Sequence, residues 1–600
     1  MAVQSLPAIS KAAAVPKGPA LNLTATAEVR LPAITITPKL AKAPSADGKA
    51  ALVAAKSGAQ AIAPLIPAAG AGIGGPTIPD WVKDAVFYQI FPDRFNNGDI
   101  GNDPNGTMPW GAAPTNDSIS GGDINGITQK LGYLNKLGVN AIYMNPIFTS
   151  PSNHGYDTSD YENVNPRLGG NAAFHDLVDT AHKDGMKVML DGVFNHTSHQ
   201  HPWFQDVRQN GSKSPYFDRY TVNNWPITYT RDAQGVLRSP DYKSWWDYAS
   251  LPVLQHDNPK VRDYFLNGKD AIVKKWITDY KIDGWRMDVA DELPGDYWKD
   301  ARTAIKQTDP NAYLVAENWH DASSMVQGDQ FDGAMNYQYF QEPAKEFFAQ
   351  KSLSPDDFIK RLGNTYPGDA KFGMLNILDS HDTPRFIEEA GGDWFRLRAA
   401  AIFQMTYVGA PVVYYGDELG VAGGKDPDSR RTFPWQNVPA SAQVASAQVA
   451  SGKTATAPAP DTQQAAAGPG VVAPAPTMAP TPDPKVSAQL FDLYSKLIST
   501  RKKEDVLRRG DFSVLMTRDD NKTLAYRRAL AGNARDAIVA LNDDVAAHDV
   551  TVPVGSIATD GTAFLDTLSG SRYLVKGGNL TVPGLSGNFG AVLMREPGNG

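Results

Sequence analysis

Between Trp81 and Glu418 this chain of 600 residues alternates short apolar runs with amphipathic stretches, eight times over. The runs are AVFYQIF, AIYMNPI, KVMLDGVF, IDGWRMD, AYLVAEN, FDGAMN, MLNILDSHD and PVVYYGDE. A strand buried on both faces reads as a nearly continuous apolar run rather than an alternating one. Stretches of helical length, among them DINGITQKLGYLNKLG and NAAFHDLVDTAHKDG, stand between the runs. Strand and helix in steady alternation require parallel pairing, and eight such units predict a closed (β/α)8 barrel, the TIM-barrel architecture of the α/β class. The barrel is expected over residues 79–504.

Two interruptions stand out. Residues 195–250 are too long for an ordinary strand-to-helix loop and carry HPWFQD, NNWPITY and YKSWWDY. They are read as a small domain inserted after strand 3 that walls the cleft. Residues 437–485 are rich in Ala, Pro, Thr and Gly, with SAQVA repeated, and are expected to be disordered because they have little apolar surface to offset ordering entropy. Beyond them Leu490, Leu493, Leu497 and Ile498 recur at helical spacing, predicting a helix that completes the barrel. Residues 505–600 contain seven short strand-like runs separated by turn residues and read as an antiparallel β-sandwich. Residues 1–78 are Ala-, Pro- and Lys-rich and predict no core.

A net charge of -8 disfavours a nucleic-acid partner, and the absence of an eighteen-residue apolar run argues against a membrane span. With no cysteine, disulfides and thiolate metal sites are excluded. The Ala/Pro-rich segments point to a secreted or periplasmic protein, with a cytoplasmic location left open.

In a barrel of this kind active sites form at the C-terminal ends of the strands. Asp288, Glu317 and Asp382 occupy such ends. Carboxylates so placed suit glycosidic cleavage, in which one attacks the sugar carbon, one protonates the departing oxygen and one holds the distorted ring. Arg286 lies two positions before Asp288, on the same face of the strand, where a cation would keep the aspartate ionised. Glu317 needs a raised pKa, for which Ala316 and Trp319 offer apolar surroundings.

DGWRMDVA, VAENWH and DSHDTPR, preceded by SNHGYDTSDY and DGVFNHTS, stand in the order and context of the α-amylase family of glycoside hydrolases, which the chain resembles. The resemblance implies that Asp288 is the nucleophile, Glu317 the acid/base and Asp382 the third acid, with retention of configuration. It places His154, Tyr156, His196, Arg286, Trp319 and His381 among the substrate-binding residues, with Asp191 and Asn195 as architectural supports, and leaves Arg385 either orienting Asp382 or touching sugar. LPVLQHDNPKVRDYF, ENWHDASSMVQGDQFDGAMNY (with Trp319) and DPDSRRTFPW resemble the neopullulanase, cyclomaltodextrinase and maltogenic amylase group. The implied substrates are α-glucans or maltooligosaccharides, including starch, pullulan and cyclodextrins, cleaved at α-1,4 and also α-1,6 bonds. That group carries an N-terminal β-sandwich that aids dimerisation, and residues 1–78 are too short for it; a monomer is the expectation.

FNNGDIGNDP and SGGDING supply Asn97, Asp99, Asn102, Asp103, the Gly121 carbonyl and Asp123, hard oxygen donors suited to a structural calcium ion, as the same group has at matching positions. An Asx-turn loop needing no ion is the alternative. Two other functions stay open: a transglycosylase or sugar isomerase of the trehalose-forming kind, and a non-catalytic sugar-binding barrel.

Overall fold

The structure, a computed structural model, describes residues 76–362, 366, 368–443, 477–533 and 535–597. The N-terminal segment up to residue 75 and the greater part of the 437–485 tract lie outside the described residues.

Eight parallel strands form the central sheet: β1 (Phe87–Ile90), β2 (Ala141–Met144), β3 (Lys187–Gly192), β4 (Gly284–Met287), β5 (Tyr313–Ala316), β6 (Gly333–Ala334), β7 (Leu375–Ile377) and β8 (Ala410–Tyr414). Their spatial order is β6-β5-β4-β3-β2-β1-β8-β7. The ring closes through a parallel bridge between Met335 and Leu375. All eight coincide with the apolar runs read from sequence. Alternate residues split between two cores. Phe87, Tyr143, Met189, Tyr313, Val315 and Val412 fill the barrel, whereas Tyr88, Ile142, Leu190, Trp285 and Leu314 face the helices.

The helices bury one stripe each. Helix α1 (Gly170–Lys183) buries Ala173, Phe174, Leu177, Val178 and Ala181, and α2 (Ile272–Tyr280) buries Ile272, Val273, Trp276 and Ile277. Helix α3 (Trp394–Thr406) is apolar nearly all round because the C-terminal domain covers its outer side. Helix α4 (Pro484–Lys503) begins on the Asp483 cap and packs on α3. It buries Leu490, Leu497 and Ile498 as expected; Leu493 is only partly covered, and Phe491 and Tyr494 fill the stripe instead.

The described edges of the 437–485 tract are ordered. Ala440–Ala442 form a 3-10 turn, and Ala113 and Gly111 bond to Thr477 and Ala479. The excursion after β3 contains a helix, Pro202–Asn210, and a two-stranded hairpin, Thr230–Arg231 with Leu237–Arg238.

Beyond α4 the chain forms eight antiparallel strands, one more than the sequence indicated: β9 (Asp511–Arg518), β10 (Thr523–Ala529), β11 (Ala537–Asn542), β12 (His548–Pro553), β13 (Ala563–Asp566), β14 (Arg572–Leu574), β15 (Asn579–Leu585) and β16 (Phe589–Arg595). The addition is β13, a four-residue run hidden between turns. A six-stranded sheet faces the β12–β15 pair across Ile538, Val550, Val552, Phe564, Leu580 and Leu593. Its other face rests on the barrel, where Tyr526 and Val539 join the main core.

Candidate active site

Three adjacent strands deliver the central group. On β3 the inward residue at the C-terminal end is Asp191, on β4 it is Arg286 followed by Asp288, and Glu317 follows β5 in phase with Tyr313 and Val315. Asp191 and Arg286 are register partners. Arg286 is fully buried, and its Nη1 donates to Asp191 Oδ1 and Asp288 Oδ1, each at 2.7 Å. Its Nη2 stands 2.9 Å from Glu317 Oε2, an ion pair without hydrogen-bond alignment. Neighbouring nitrogens of one guanidinium therefore touch two of the three acids singled out from sequence.

Glu317 has two further donors. The Val289 amide gives a hydrogen bond to Oε2 (2.8 Å) and the Trp319 indole N–H gives one to Oε1 (3.1 Å). The Trp319 ring stacks on Tyr337 at 4.0 Å. The expected burial is present, but Trp319 turns its polar edge rather than an apolar face to the acid.

Protonation is distributed accordingly. Burial pushes Asp191 up to about 6, against Arg286. Burial pushes Asp288 well above the usual aspartate range, again with Arg286 opposing. Burial also drives Glu317 upward, but Arg286 and the Val289 amide outweigh it and hold the carboxyl below the ordinary glutamate value. Arg286 thus works against burial at all three carboxyls, and it wins only at Glu317. Sequence alone pairs Arg286 with Asp288; in the structure it also meets Asp191 and Glu317, and the expected directions at Asp288 and Glu317 are corrected.

Asp382 joins through histidine. His381 Nε2 lies 3.0 Å from Asp382 Oδ2 and 2.7 Å from the Tyr156 hydroxyl, and its Nδ1 contacts Gln89 Nε2 at 2.9 Å. Tyr156 in turn donates to Asp191 Oδ2 (2.9 Å), as does Tyr143 (2.7 Å). One network of polar contacts therefore runs from Asp382 through His381, Tyr156, Asp191 and Arg286 to Asp288 and Glu317. The Tyr156 and His381 rings lie parallel at 5.4 Å, with His154 stacked on Tyr156 at 5.9 Å. His196 bonds the Tyr156 carbonyl (3.0 Å), is braced by Asn195 (3.2 Å) and stacks on Trp245 (5.7 Å). Burial holds His196 at about 4 and His381 well below the usual imidazole value, so both are neutral and can donate and accept.

Arg385 does not reach this network. It donates to Ser429 O, Tyr415 O and Asp417 Oδ1, and its guanidinium lies 3.8 Å from the centre of the Tyr414 ring. The expectation that it touches sugar or orients Asp382 is corrected: after Asp382 the chain turns through Thr383 and Pro384 and aims Arg385 into the wall beneath β8. Arg430, 48 residues from Asp382, takes that place, with Nη2 3.3 Å from Asp382 Oδ1 and Nε donating to the His381 carbonyl (2.9 Å). It also pairs with Asp426 at 2.9 Å. Sequence reasoning missed Arg430, Gln89, Tyr143 and Tyr337. Arg430 was within reach through the matched segment DPDSRRTFPW, and Gln89 and Tyr143 through strand alternation.

The six oxygen-bearing residues gather in one loop cluster away from the acids. Asn97 donates to Asp103 Oδ2 (2.8 Å) and Asn102 to Asp123 Oδ2 (3.1 Å). Asn97 Oδ1, Asn102 Oδ1 and Asp103 Oδ1 are buried without a partner. Gly121 has φ +84°, and a Cβ there would stand 2.5 Å from Asp103 Oδ1, inside the hollow. Asp99 Oδ1 accepts from the Gly101 amide, and Asp123 accepts from the Gly98, Asp99 and Gly126 amides besides Asn102, so it orders the loop. Among the described residues no three His, Cys, Asp or Glu side chains are arranged to hold a metal. Any ion here rests on mixed amide, carboxylate and carbonyl oxygen, the donor set of a hard cation.

The family profile described as alpha amylase, catalytic domain, matches residues 89–510. A cyclomaltodextrinase from Bacillus sp is 37% identical over 475 residues, 78% of this chain and 74% of its own. Neopullulanase 2 from Thermoactinomyces vulgaris is 43% identical over 366 residues, 60% of each chain. Among solved structures, a cyclomaltodextrinase gives a TM-score of 0.72 at 33% identity over 87% of this chain and 79% of that one. A cyclic α-maltosyl-(1→6)-maltose hydrolase from Arthrobacter globiformis gives 0.69 at 30% identity over 86% and 100%.

Proposed function

The chain belongs to the α-amylase family of glycoside hydrolases and cleaves α-glucosidic bonds, and from that premise we propose that it works with retention through a covalent glycosyl–Asp288 intermediate. The observation that carries this is the contact of Arg286 with both Asp288 and Glu317. Carboxyl groups spanned by one guanidinium suit the ~5–5.5 Å spacing of a retaining pair rather than the wider gap that admits a water.

In the first step Asp288 attacks the anomeric carbon while Glu317 gives its proton to the departing oxygen. The negative charge leaves Asp288, now an ester, and appears on Glu317. Arg286 already touches both, so it stays paired with one anion throughout. The loose alignment of its Glu317 contact lets that pairing yield while Glu317 is protonated. In the second step the Glu317 carboxylate takes a proton from water, which displaces Asp288 from the sugar. Asp382, His381 and His196 hold the hydroxyls of that sugar, with Arg430 fixing Asp382. A non-catalytic barrel has no need of three acids on one network.

The relatives' names point to maltooligosaccharides, cyclodextrins and pullulan as substrates, with α-1,4 bonds cleaved and α-1,6 bonds also admitted. Calcium is assigned to the loop of Asn97, Asn102, Asp103 and the Gly121 carbonyl, on the three bare oxygens there, where it would tie two loops together. The test is NMR of the first product released from maltotriose: α-configured sugar supports retention, and β-configured sugar overturns it.

A further inference from the structure

Two buried amides stand behind His381. Gln89 lies on β1 two places after Phe87, on the same inward face, and Asn145 follows β2 directly. Both are buried. Gln89 Nε2 lies 2.9 Å from His381 Nδ1 and donates to Asn145 Oδ1 at 3.3 Å, while Asn145 Nδ2 donates to the Tyr156 hydroxyl at 2.9 Å. Gln89 Oε1 has no partner. A buried oxygen left bare is costly, so what the Gln89 nitrogen bonds must hold the amide this way round.

The direction of each bond follows by counting protons from Arg286. Its guanidinium only donates, and Asp191 as a carboxylate only accepts. Tyr156 has one hydroxyl proton and gives it to Asp191 Oδ2. Its oxygen therefore accepts from its two other neighbours, Asn145 Nδ2 and His381 Nε2, the latter at 2.7 Å. With its nitrogen at Tyr156, Asn145 turns its oxygen to Gln89, which places the Gln89 nitrogen on His381 Nδ1. Contacts on the two ring nitrogens thus agree: Nε2 carries the proton and Nδ1 accepts. Asp382 adds a third constraint, because its Oδ2, in a carboxylate paired with Arg430, lies 3.0 Å from Nε2 and would repel a lone pair there.

We infer that Gln89 is a positioning residue of the hydrolysis, which locks His381 as the neutral Nε2–H tautomer by setting an N–H donor against Nδ1. A second proton on Nδ1 would face that N–H. His381 then offers the sugar an uncharged donor beside the acceptor Asp382, and a hydroxyl held between them takes a hydrogen bond from one and gives its own to the other. Both alternatives are worse. The Nδ1–H tautomer presents two acceptors to that hydroxyl, and an imidazolium sets a positive charge beside a ring that itself becomes oxocarbenium-like in the transition state. Among the charged groups near the ring, Arg430 and Arg286 oppose its protonation, whereas Asp382 and Glu317 favour it. That His381 meets the sugar rests on the reading above; its tautomer rests on the hydrogen bonds alone.

The experiment is nitrogen NMR of the full chain isotopically labelled at histidine, with the His381 signals identified by their loss in His381→Asn. It is run at a pH well above the value of about 6 to which Asp191 is pushed, so that Asp191 is ionised. In the wild type Nε2 carries the proton and Nδ1 carries none. Gln89→Glu keeps the shape but puts an acceptor at Nδ1; it draws a proton onto that nitrogen and lowers kcat/KM on maltotriose at least about tenfold, mostly through kcat. Gln89→Met fills the space with neither donor nor acceptor; Asp382 and Tyr156 still hold the proton on Nε2, and kcat/KM falls by a smaller factor. A proton on Nδ1 in the wild type overturns the inference without any variant. So does a bare Nδ1 in Gln89→Glu, or a Gln89→Met variant as slow as Gln89→Glu, the pattern of a merely structural residue. A β-configured product from the wild type would overturn the retaining reading and leave the tautomer assignment standing.

Discussion

Trp319→Phe isolates one hydrogen bond at the acid. Phenylalanine keeps an aromatic face on Tyr337, which the indole meets at 4.0 Å, but it has no N–H for Glu317 Oε1. A donor to a carboxylate favours the ionised form, so its removal raises the pKa. Hydrogen bonds to charged groups are worth about 1.5–3 kcal/mol, and a pKa unit corresponds to about 1.36 kcal/mol, so the Glu317 pKa is expected to rise by about 1–2 units. The sign follows from its role. The first step needs the Asp288–Glu317 pair to hold one proton and to deliver it from Glu317, and the basic limb of kcat/KM reports loss of that shared proton from the free enzyme. The basic limb with maltotriose should therefore move to higher pH, by at most about 1–2 units. Run in parallel with α-maltosyl fluoride, whose leaving group needs no proton, the limb should not follow. A basic limb that stays in place with maltotriose, or moves to lower pH, refutes the argument that Trp319 stabilises the Glu317 carboxylate.

Asp288→Ala and Glu317→Gln should each lower kcat on maltotriose by at least ~10²–10⁴-fold while leaving the melting temperature near that of the wild type, and near-normal turnover by either contradicts the assignment. Arg430→Met strips the buried carboxylates of Asp382 and Asp426 of their cation and should cost about 3–5 kcal/mol in urea unfolding as well as at least tenfold in kcat/KM. Arg385→Met removes the cation beside Asp417 and should cost similar stability with much less effect on kcat/KM, and the opposite pattern would return Arg385 to the site. Chelation should lower the melting temperature at matched ionic strength and calcium should restore it; an unchanged melt removes the ion from the loop of Asn97 and Asp103.

The barrel was legible because parallel strands covered on both sides leave an unbroken apolar signature. Even β6, two residues long, announced itself through FDGAMN. The acids were legible because strand ends are where such a barrel keeps its chemistry. What the sequence hid was the direction of side chains that leave regular structure. Arg385 is three residues from Asp382 and turns away, whereas Arg430 returns to it from a loop beyond β8. Glu317 is desolvated as the sequence suggested, yet the one polar atom of Trp319 faces the carboxylate and Arg286 outweighs the burial. Strand β13 was lost because its run AFLD stands among turn residues, without the strand-and-helix alternation that marks β6 in the barrel. The loop around Asp123 showed its oxygen donors, but not that this aspartate is saturated with backbone amides while Asn97, Asn102 and Asp103 keep bare oxygens.

The central claim is that Asp288 becomes an ester of the sugar. Glu317→Gln treated with α-maltosyl fluoride should form that ester, because fluoride needs no acid, and then stall, because no base remains to activate water. Mass spectrometry of the rapidly quenched, digested protein should find one maltosyl unit on the peptide that contains Asp288. An unmodified Asp288 peptide despite stoichiometric fluoride release, or the sugar on any other residue, would contradict the account.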